Sequence, residues 1–279
     1  MRREANGSMT TSSEAQLVHF TSSDGTRLGA RRHGRGRPLL LVHGTGSDHT
    51  RWAPVLPRLA ERFTVYALDR RGRGASGDGP AWSIRQEVED LVAVLETIGG
   101  RVDVLAHSFG AARALEAALL TDRMRRLVAY EPGGVRLPGG HDGPGRVLPR
   151  LRELIEAGGR EETLLTFMRE VVRVPDQELA LLRSRPSWPG RVAAAHTVVR
   201  ELAASEEHEP PFEELRRLQL PVLMVEGSDS PESLRRATEY IHQLLPNSRL
   251  AVLPGQRHAA MDTAPDLFLD EVIGFLAGE

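Results

Sequence analysis

The 279-residue chain has no cysteine and, read letter by letter, no lysine, so all 36 of its Lys/Arg positions are arginine. Without lysine there is no Schiff-base nucleophile, no pyridoxal-phosphate lysine and no phosphate-loop lysine. Without cysteine there is no thiolate nucleophile, cysteine-ligated zinc, iron–sulfur cluster or disulfide. Covalent chemistry is left chiefly to Ser, Thr, Asp, Glu and His. An excess of charge is missing too, because 36 basic against 38 acidic residues leave a formal net charge of −2. Both signs are scattered along the chain, so no stretch concentrates the positive potential that a nucleic-acid partner needs. No apolar run approaches the ~20 residues that span a bilayer, and the first residues carry no apolar signal-peptide core. These absences lead us to expect a cytoplasmic location, with neither nucleic acid nor membrane as a partner. The lack of cysteine fits either redox compartment.

What is present alternates in a regular way. Residues 1–15 are small and polar without periodicity, and are expected to form a disordered tail. Short β-rich runs then alternate with helical patterns, which is the signature of a mainly parallel sheet covered by helices. Strands are expected at Leu17–Phe20, Arg27–Arg32, Leu39–Val42, Phe63–Leu68, Val102–Ala106, Leu127–Tyr130, Val222–Val225 and Leu250–Leu253. Most of these are continuous apolar runs, as strands buried on both faces require. Helices are expected at Arg51–Arg62, Ser83–Ile98, Phe109–Asp122, Pro231–Leu245 and Pro265–Leu276. In the second of these, Ile84, Val88, Leu91, Val92, Leu95 and Ile98 keep three- and four-residue spacing, so one face meets the sheet. The alternation breaks between Tyr130 and Leu220, where no convincing strand occurs and helical patterns are interrupted at Pro175, Pro186, Pro189 and Pro210-Pro211. That stretch reads as a helical insertion after one strand.

Three places carry chemistry. In Ala106-His-Ser108-Phe-Gly110 a serine stands between a buried strand and an Ala-rich helix. A sharp strand-to-helix turn would lift the hydroxyl above the sheet, and it leaves room only for small side chains two residues to either side. The plainer alternative is that Ser108 only caps the helix. In Val42-His43-Gly44-Thr45-Gly46 a strand enters a glycine-containing turn, the form needed where backbone N–H groups face an oxyanion. The plainer alternative for His43 is a brace for that turn. Last, the run Leu250–Leu253 leads through Pro254-Gly-Gln-Arg to His258, which sits on the loop after the final strand. There is no H-E-x-x-H pattern, and neither a metal nor a cofactor is expected; Glu206-Glu207-His208-Glu209 reads as a solvated acidic face.

With these residues, and with Asp69-Arg-Arg71-Gly72-Arg-Gly74-Ala-Ser76, the sequence resembles the α/β-hydrolase superfamily over residues 17–278, in particular its serine esterase and haloperoxidase-like branch with a helical cap. The resemblance implies an α/β-hydrolase fold, an eight-stranded mainly parallel sheet flanked by helices. Residues 16–134 and 216–279 would form the core and 135–215 the cap. It implies Ser108 as nucleophile, His258 as general base, and the N–H groups of Thr45 and Phe109 as the oxyanion hole. An Asp nucleophile, as in epoxide hydrolases and haloalkane dehalogenases, is absent from position 108. The acid that orients His258 is expected to be Asp229, on the loop after the seventh strand. Glu131, after the sixth strand, is the alternative, and Glu226 is a weaker one. Asp262 is expected to cap the final helix.

Arg71 and Arg73 are expected to hold the loop after the fourth strand, with contact to an anionic substrate as the alternative. Trp52, Trp82 and Trp188 read as pocket or core, and Leu164, Leu165, Phe167 and Met168 as cap packing or a substrate-facing wall. The expected activity is hydrolysis of a small, mainly apolar carboxylic ester, thioester or lactone through an acyl-enzyme. The same fold and triad also serve acyl transfer, C–C bond hydrolysis and elimination, and a catalytically silent ligand-binding protein is the remaining alternative. A small-molecule substrate is the expected partner, with homodimer formation left open.

Overall fold

All eight expected strands join one sheet in a computed structural model that describes residues 15–79, 81–140 and 144–278. They are β1 (Gln16–Thr21), β2 (Arg27–His33), β3 (Arg37–Val42), β4 (Phe63–Leu68), β5 (Val102–His107), β6 (Met124–Tyr130), β7 (Val222–Gly227) and β8 (Ser248–Leu253). The order across the sheet is β1-β2-β4-β3-β5-β6-β7-β8. The pairs β1/β2 and β2/β4 are antiparallel and the other five are parallel. The expected tail, apart from residue 15, lies outside the described residues.

Side chains alternate across the central strands with period two, which divides the core into two layers. Leu40, Val42, Val104, Ala106, Leu127 and Ala129 face one layer. It is closed by Val88, Leu91, Val94 and Leu95 of α2 (Ile84–Ile98), by Ala111, Ala114 and Leu115 of α3 (Phe109–Ala117), and by Ile241 of α10 (Glu232–Leu244). Leu39, Leu41, Leu105, Val128 and Tyr130 face the other, closed by Leu59 of α1 (Leu56–Ala60) and by Phe268, Leu269, Val272 and Leu276 of α12 (Pro265–Ala277). Ser83 starts α2 by accepting a hydrogen bond from Gln86 N at 3.1 Å, and Gly99 ends it with φ 77°. The expected helix over Arg51–Arg62 is split. Pro54 and Pro57 divide it into a 3-10 turn, His49–Trp52, and the short α1, because a proline lacks the N–H and disfavours helical backbone just before it.

Between β6 and β7 lie α4 (Leu148–Glu156), α5 (Arg160–Thr166), a π-helical turn (Phe167–Val171), α6 (Asp176–Arg183), α7 (Trp188–Ala193), α8 (His196–Glu207) and α9 (Phe212–Leu215). The first six enclose their own apolar cluster, which includes Leu151, Leu164, Phe167, Met168, Leu182, Trp188, Val198 and Leu202. The short α9, in contrast, packs with the sheet: Leu215 joins the first core layer, and Phe212 meets Tyr240 of α10 edge-on at 5.1 Å.

A buried charge cluster fastens this helical insertion to the core. Arg70 and Arg73, on the loop after β4, both meet Glu87 of α2 and Glu201 of α8, with Arg70 Nη2 2.6 Å from each carboxylate. Trp82 Nε1 donates to Glu87 Oε1 at 2.8 Å. Two cations and two anions balance, and that balance is what makes full burial tolerable. Arg71 instead meets Asp90 at 2.6 Å and Asp24 at 3.0 Å. All three arginines therefore hold the loop, and Arg71 and Arg73 are structural.

Burial alone would raise the pKa of Glu87, but Arg70 and Arg73 hold it down at about 2. Its contribution to stability is therefore complete above the ordinary carboxylate range and is lost as the pH falls from about 4.5 toward 2. Urea unfolding should show that acid limb in the wild type and a flatter one in Glu87→Gln. Glu201→Gln should cost roughly 3–5 kcal/mol at neutral pH, because it leaves buried cations under-compensated. A loss of only a few tenths of a kcal/mol would show that the cluster does not fasten the insertion.

Candidate active site

The strand order reverses beside β3, where β4 lies on one side and β5 on the other, and a crevice opens above the carboxyl ends of strands at such a point. Val42 is in register with Ala106 and His107 with Tyr130, so the residues that leave β3, β5 and β6 emerge side by side. These are Gly44, Ser108 and Glu131.

Ser108 turns the chain from β5 into α3 with φ 56° and ψ −128°, left-handed backbone that a non-glycine residue adopts only under strain. The surroundings enforce it. A Cβ on Gly44 would stand 2.7 Å from Ser108 Cβ, one on Gly133 2.8 Å from Ser108 Oγ, and one on Gly110 2.4 Å from His43 O. Ser108 N donates to Tyr130 O at 2.9 Å, which extends the β5/β6 ladder into the turn. Glycine at positions 44, 110 and 133 is therefore sterically required around Ser108. His43 is fully buried and braces its turn: its Nε2 accepts from Arg70 N at 3.1 Å, which leaves Nδ1–H to donate to Gly44 O at 2.9 Å. Burial, together with Arg70 nearby, keeps its pKa well below the usual value, so the ring is neutral.

His258, on the loop between β8 and α11 (Ala260–Thr263), places Nδ1 2.5 Å from Glu131 Oε2. Glu131 is fully buried, has φ 44°, and accepts from Gly227 N through Oε1 at 2.7 Å. With Nδ1–H directed at the carboxylate, Nε2 is the ring nitrogen left for the cavity that His258 and Ser108 both line. The structure thus brings Glu131, and not the Asp229 preferred from the sequence, to His258. Asp229 lies in a turn that closes on the His258 loop through Asp229 N to Gln256 O at 2.9 Å, and its exposed carboxylate accepts from Ser228 Oγ at 2.7 Å. Glu226 does not meet His258 either. Its carboxyl is pushed up to about 7 by burial and by the carboxylates of Glu239 and Glu131. Asp262 does not cap the last helix, whose N-cap is Ala264; it pairs with the buried Arg51.

Two residues that sequence reasoning missed hold the His258 loop. Tyr130 OH donates to Arg257 O and accepts from Ala260 N at 3.2 Å, so it bridges both sides of His258. His107 donates from Nε2 to His258 O at 2.9 Å, and its ring lies against that of His258, tilted by 38°, with centroids 4.4 Å apart. Burial, with His258 beside it, holds the His107 pKa well below the ordinary value, so this ring is neutral. The available signal was position: each is the last residue of its strand, immediately before Ser108 or Glu131.

Thr45 lines the cavity with Ser108, and Phe109 opens α3, so its N–H is among the first helical amides that have no intrahelical acceptor. The ring of Phe109 is held between two guanidinium groups, those of Arg70 and Arg113, at 4.7 and 4.6 Å from its centroid. The cavity, about 470 Å³ including its open mouth, is roofed by Phe167, Met168, Val172 and Leu182 of the insertion. Phe167 and Met168 thus serve as both packing and wall, while Leu164 packs inside the insertion. Trp52 is core, Trp188 belongs to the insertion's cluster, and Trp82 holds Glu87.

One group of potential metal ligands occurs among the described residues, Asp48, His49 and Asp69. Their oxygens already serve the chain. Asp69 accepts from His49 N and Nδ1, both at 2.8 Å, and from Ala75 N at 2.9 Å, while Asp48 Oδ1 accepts from Thr50 N at 2.9 Å. No helix of the described residues is long and apolar enough to cross a membrane.

Residues 39–271 match the alpha/beta hydrolase family. A pimeloyl-[acyl-carrier protein] methyl ester esterase of Nitrosomonas europaea is 28% identical across 85% of this chain and 94% of its own length. A 2-hydroxy-6-oxo-2,4-heptadienoate hydrolase of Pseudomonas putida is 27% identical, covering 96% and 99%. The crystal structure of an alpha/beta hydrolase from Sphaerobacter thermophilus superposes with a TM-score of 0.80 at 34% identity, covering 94% of this chain and all of that one. Eight strands in this order, a helical insertion after the sixth and a strained serine at the end of the fifth agree with those matches, and the chain belongs to the α/β-hydrolase family.

Proposed function

We propose that the protein is a serine hydrolase of small carboxylic esters, thioesters or lactones, with Ser108 as nucleophile, His258 as general base and Glu131 as the acid. The observation that carries this reading is the 2.5 Å contact from His258 Nδ1 to Glu131, in a cavity shared with a serine held in left-handed backbone. The esterase among its relatives supports the same class of reaction.

In the first step Ser108 Oγ attacks the substrate carbonyl while His258 Nε2 takes its proton, and the buried Glu131 carboxylate stabilises the imidazolium that results. The N–H groups of Thr45 and Phe109 receive the developing oxyanion; losing one such donor typically costs about 3 kcal/mol, roughly a hundredfold in rate. The tetrahedral adduct collapses, His258 returns the proton to the leaving alkoxide or thiolate, and an acyl-Ser108 remains. Water, deprotonated by His258, then attacks the acyl carbonyl; the acid is released and Ser108 recovers its proton. Both carboxylate oxygens of Glu131 are hydrogen-bonded, so it holds the ring without taking its proton.

On a series of 4-nitrophenyl esters of rising acyl length, Ser108→Ala should lose turnover and labelling by a phosphonate probe. Glu131→Gln should lower kcat by on the order of a thousandfold or more, whereas Asp229→Asn should stay within a few-fold of wild type. Collapse in Asp229→Asn alone would overturn the choice of acid, and full turnover by Ser108→Ala would overturn the mechanism. Tyr130→Phe removes the bridge across the His258 loop. It should lower stability by about 1–3 kcal/mol in urea unfolding and lower kcat more than it raises KM.

A further inference from the structure

Six arginines are buried among the described residues: Arg51, Arg70, Arg71, Arg73, Arg113 and Arg191. Five of them are ion-paired. Arg51 meets Asp262, Arg70 and Arg73 meet Glu87 and Glu201, Arg71 meets Asp90, and Arg113 meets Glu116. Arg191 has no such pair among the described residues, and its Nε is buried without a hydrogen-bond partner. Its side chain lines the cavity of Ser108 and His258.

The helix that carries it is firmly placed. Trp188 Nε1 at the start of α7 donates to Glu161 at 3.1 Å, and Gly190 packs so closely on the core that a Cβ there would lie 2.2 Å from Asp48 Oδ2. Burial and the nearby Arg51 lower the Arg191 pKa to about 10, which still leaves the guanidinium charged at neutral pH. Asp262, Asp48 and Glu178 act on it from beyond ion-pair distance, so the buried guanidinium lacks a close counter-ion, a cost that an incoming anion would reduce. Arg51 shares the cavity but is already neutralised by Asp262. Of the other two carboxylates that act on Arg191, Asp48 caps the turn at His49–Trp52 through Oδ1 and does not line the cavity, whereas Glu178 lines it; burial pushes the Glu178 pKa up, which weakens its claim as the standing partner.

We propose that Arg191 binds a carboxylate carried by the substrate, so that the preferred substrates are half-esters, or other acyl compounds with a free carboxylate at the far end, in place of wholly apolar esters. The planar guanidinium fork matches a carboxylate with two parallel hydrogen bonds. Phe167, Met168, Val172 and Leu182 would cover the alkyl chain between the anchored carboxylate and the reacting carbonyl. This inference rests on the serine-hydrolase reading for the reaction, but not for the binding of the anion.

The test compares mono-4-nitrophenyl adipate with its methyl ester. Wild type should favour the half-ester by at least tenfold in kcat/KM. Arg191→Gln should reduce that preference tenfold or more, and Glu178→Gln, which removes the competing carboxylate, should increase it. Independently of turnover, monomethyl adipate should raise the melting temperature of Ser108→Ala and dimethyl adipate should not, and adding Arg191→Gln should abolish the shift. Equal kcat/KM for the two esters, or a preference that survives Arg191→Gln, overturns the proposal. If neither ester is hydrolysed but the melting shift appears and depends on Arg191, the reaction assignment fails and the anion site stands. Should Arg191→Gln not fold, the wild-type preference and its change in Glu178→Gln decide the matter.

Discussion

The parallel register of β3, β5 and β6 is the constraint on which the candidate site depends. Because Val42 faces Ala106 and His107 faces Tyr130, the chain leaves three neighbouring strands at one level, and Gly44, Ser108 and Glu131 become neighbours although far apart in sequence. A slip of one residue would reverse which side chains face each layer of the core, so the burial of Leu40, Val42, Val104 and Ala106 holds the register. Apolar packing below the sheet end thus sets the polar geometry above it. The strain in Ser108 and Glu131, both at positive φ, persists only because this packing leaves no other course for the backbone.

An arginine-only basic complement shapes how charge is buried. Each guanidinium offers five donors in a fixed plane, so Arg70 can span Glu87, Glu201 and the carbonyl of His43 while its face covers the ring of Phe109. One side chain thereby links α2, the cap helix α8, the turn after β3 and the first residue of the elbow helix. An ammonium group could not make that set of contacts from one position. Such clusters bring little net stability compared with apolar packing, but they fix the relative placement of the elements they join.

Strands, sheet class and the serine elbow were legible because each rests on local chemistry: runs of apolar β-formers, and small residues crowded around a strand-to-helix turn. His258 was legible by its place after the last strand. The carboxylate that meets His258 was not, since Asp229 and Glu131 both follow strand ends and composition does not say which way a carboxylate points. Two non-local facts decide it. The turn around Asp229 is closed by its bond to Gln256 O, which directs the side chain outward, while Gly227 N draws Glu131 inward beneath His258. Asp262 was misread for the same reason, because its partner Arg51 lies more than two hundred residues earlier in the chain. The insertion's Arg191 was invisible in the sequence for a related one: a lone arginine is unremarkable until its burial and the lack of a close ion pair are known.

Glutamate has one more rotatable bond than aspartate, and a free glutamate samples many orientations. In Glu131 both oxygens are engaged, one by Gly227 N and the other by His258, and the whole side chain is sealed from water. Its rotational entropy, up to about 2 kcal/mol for a side chain of this length, is therefore surrendered when the chain folds. No reorientation of the carboxylate, and no rearrangement of water around it, has to accompany a change of charge on the neighbouring imidazole. The longer residue behaves as a rigid fixture, and its extra reach comes without extra disorder.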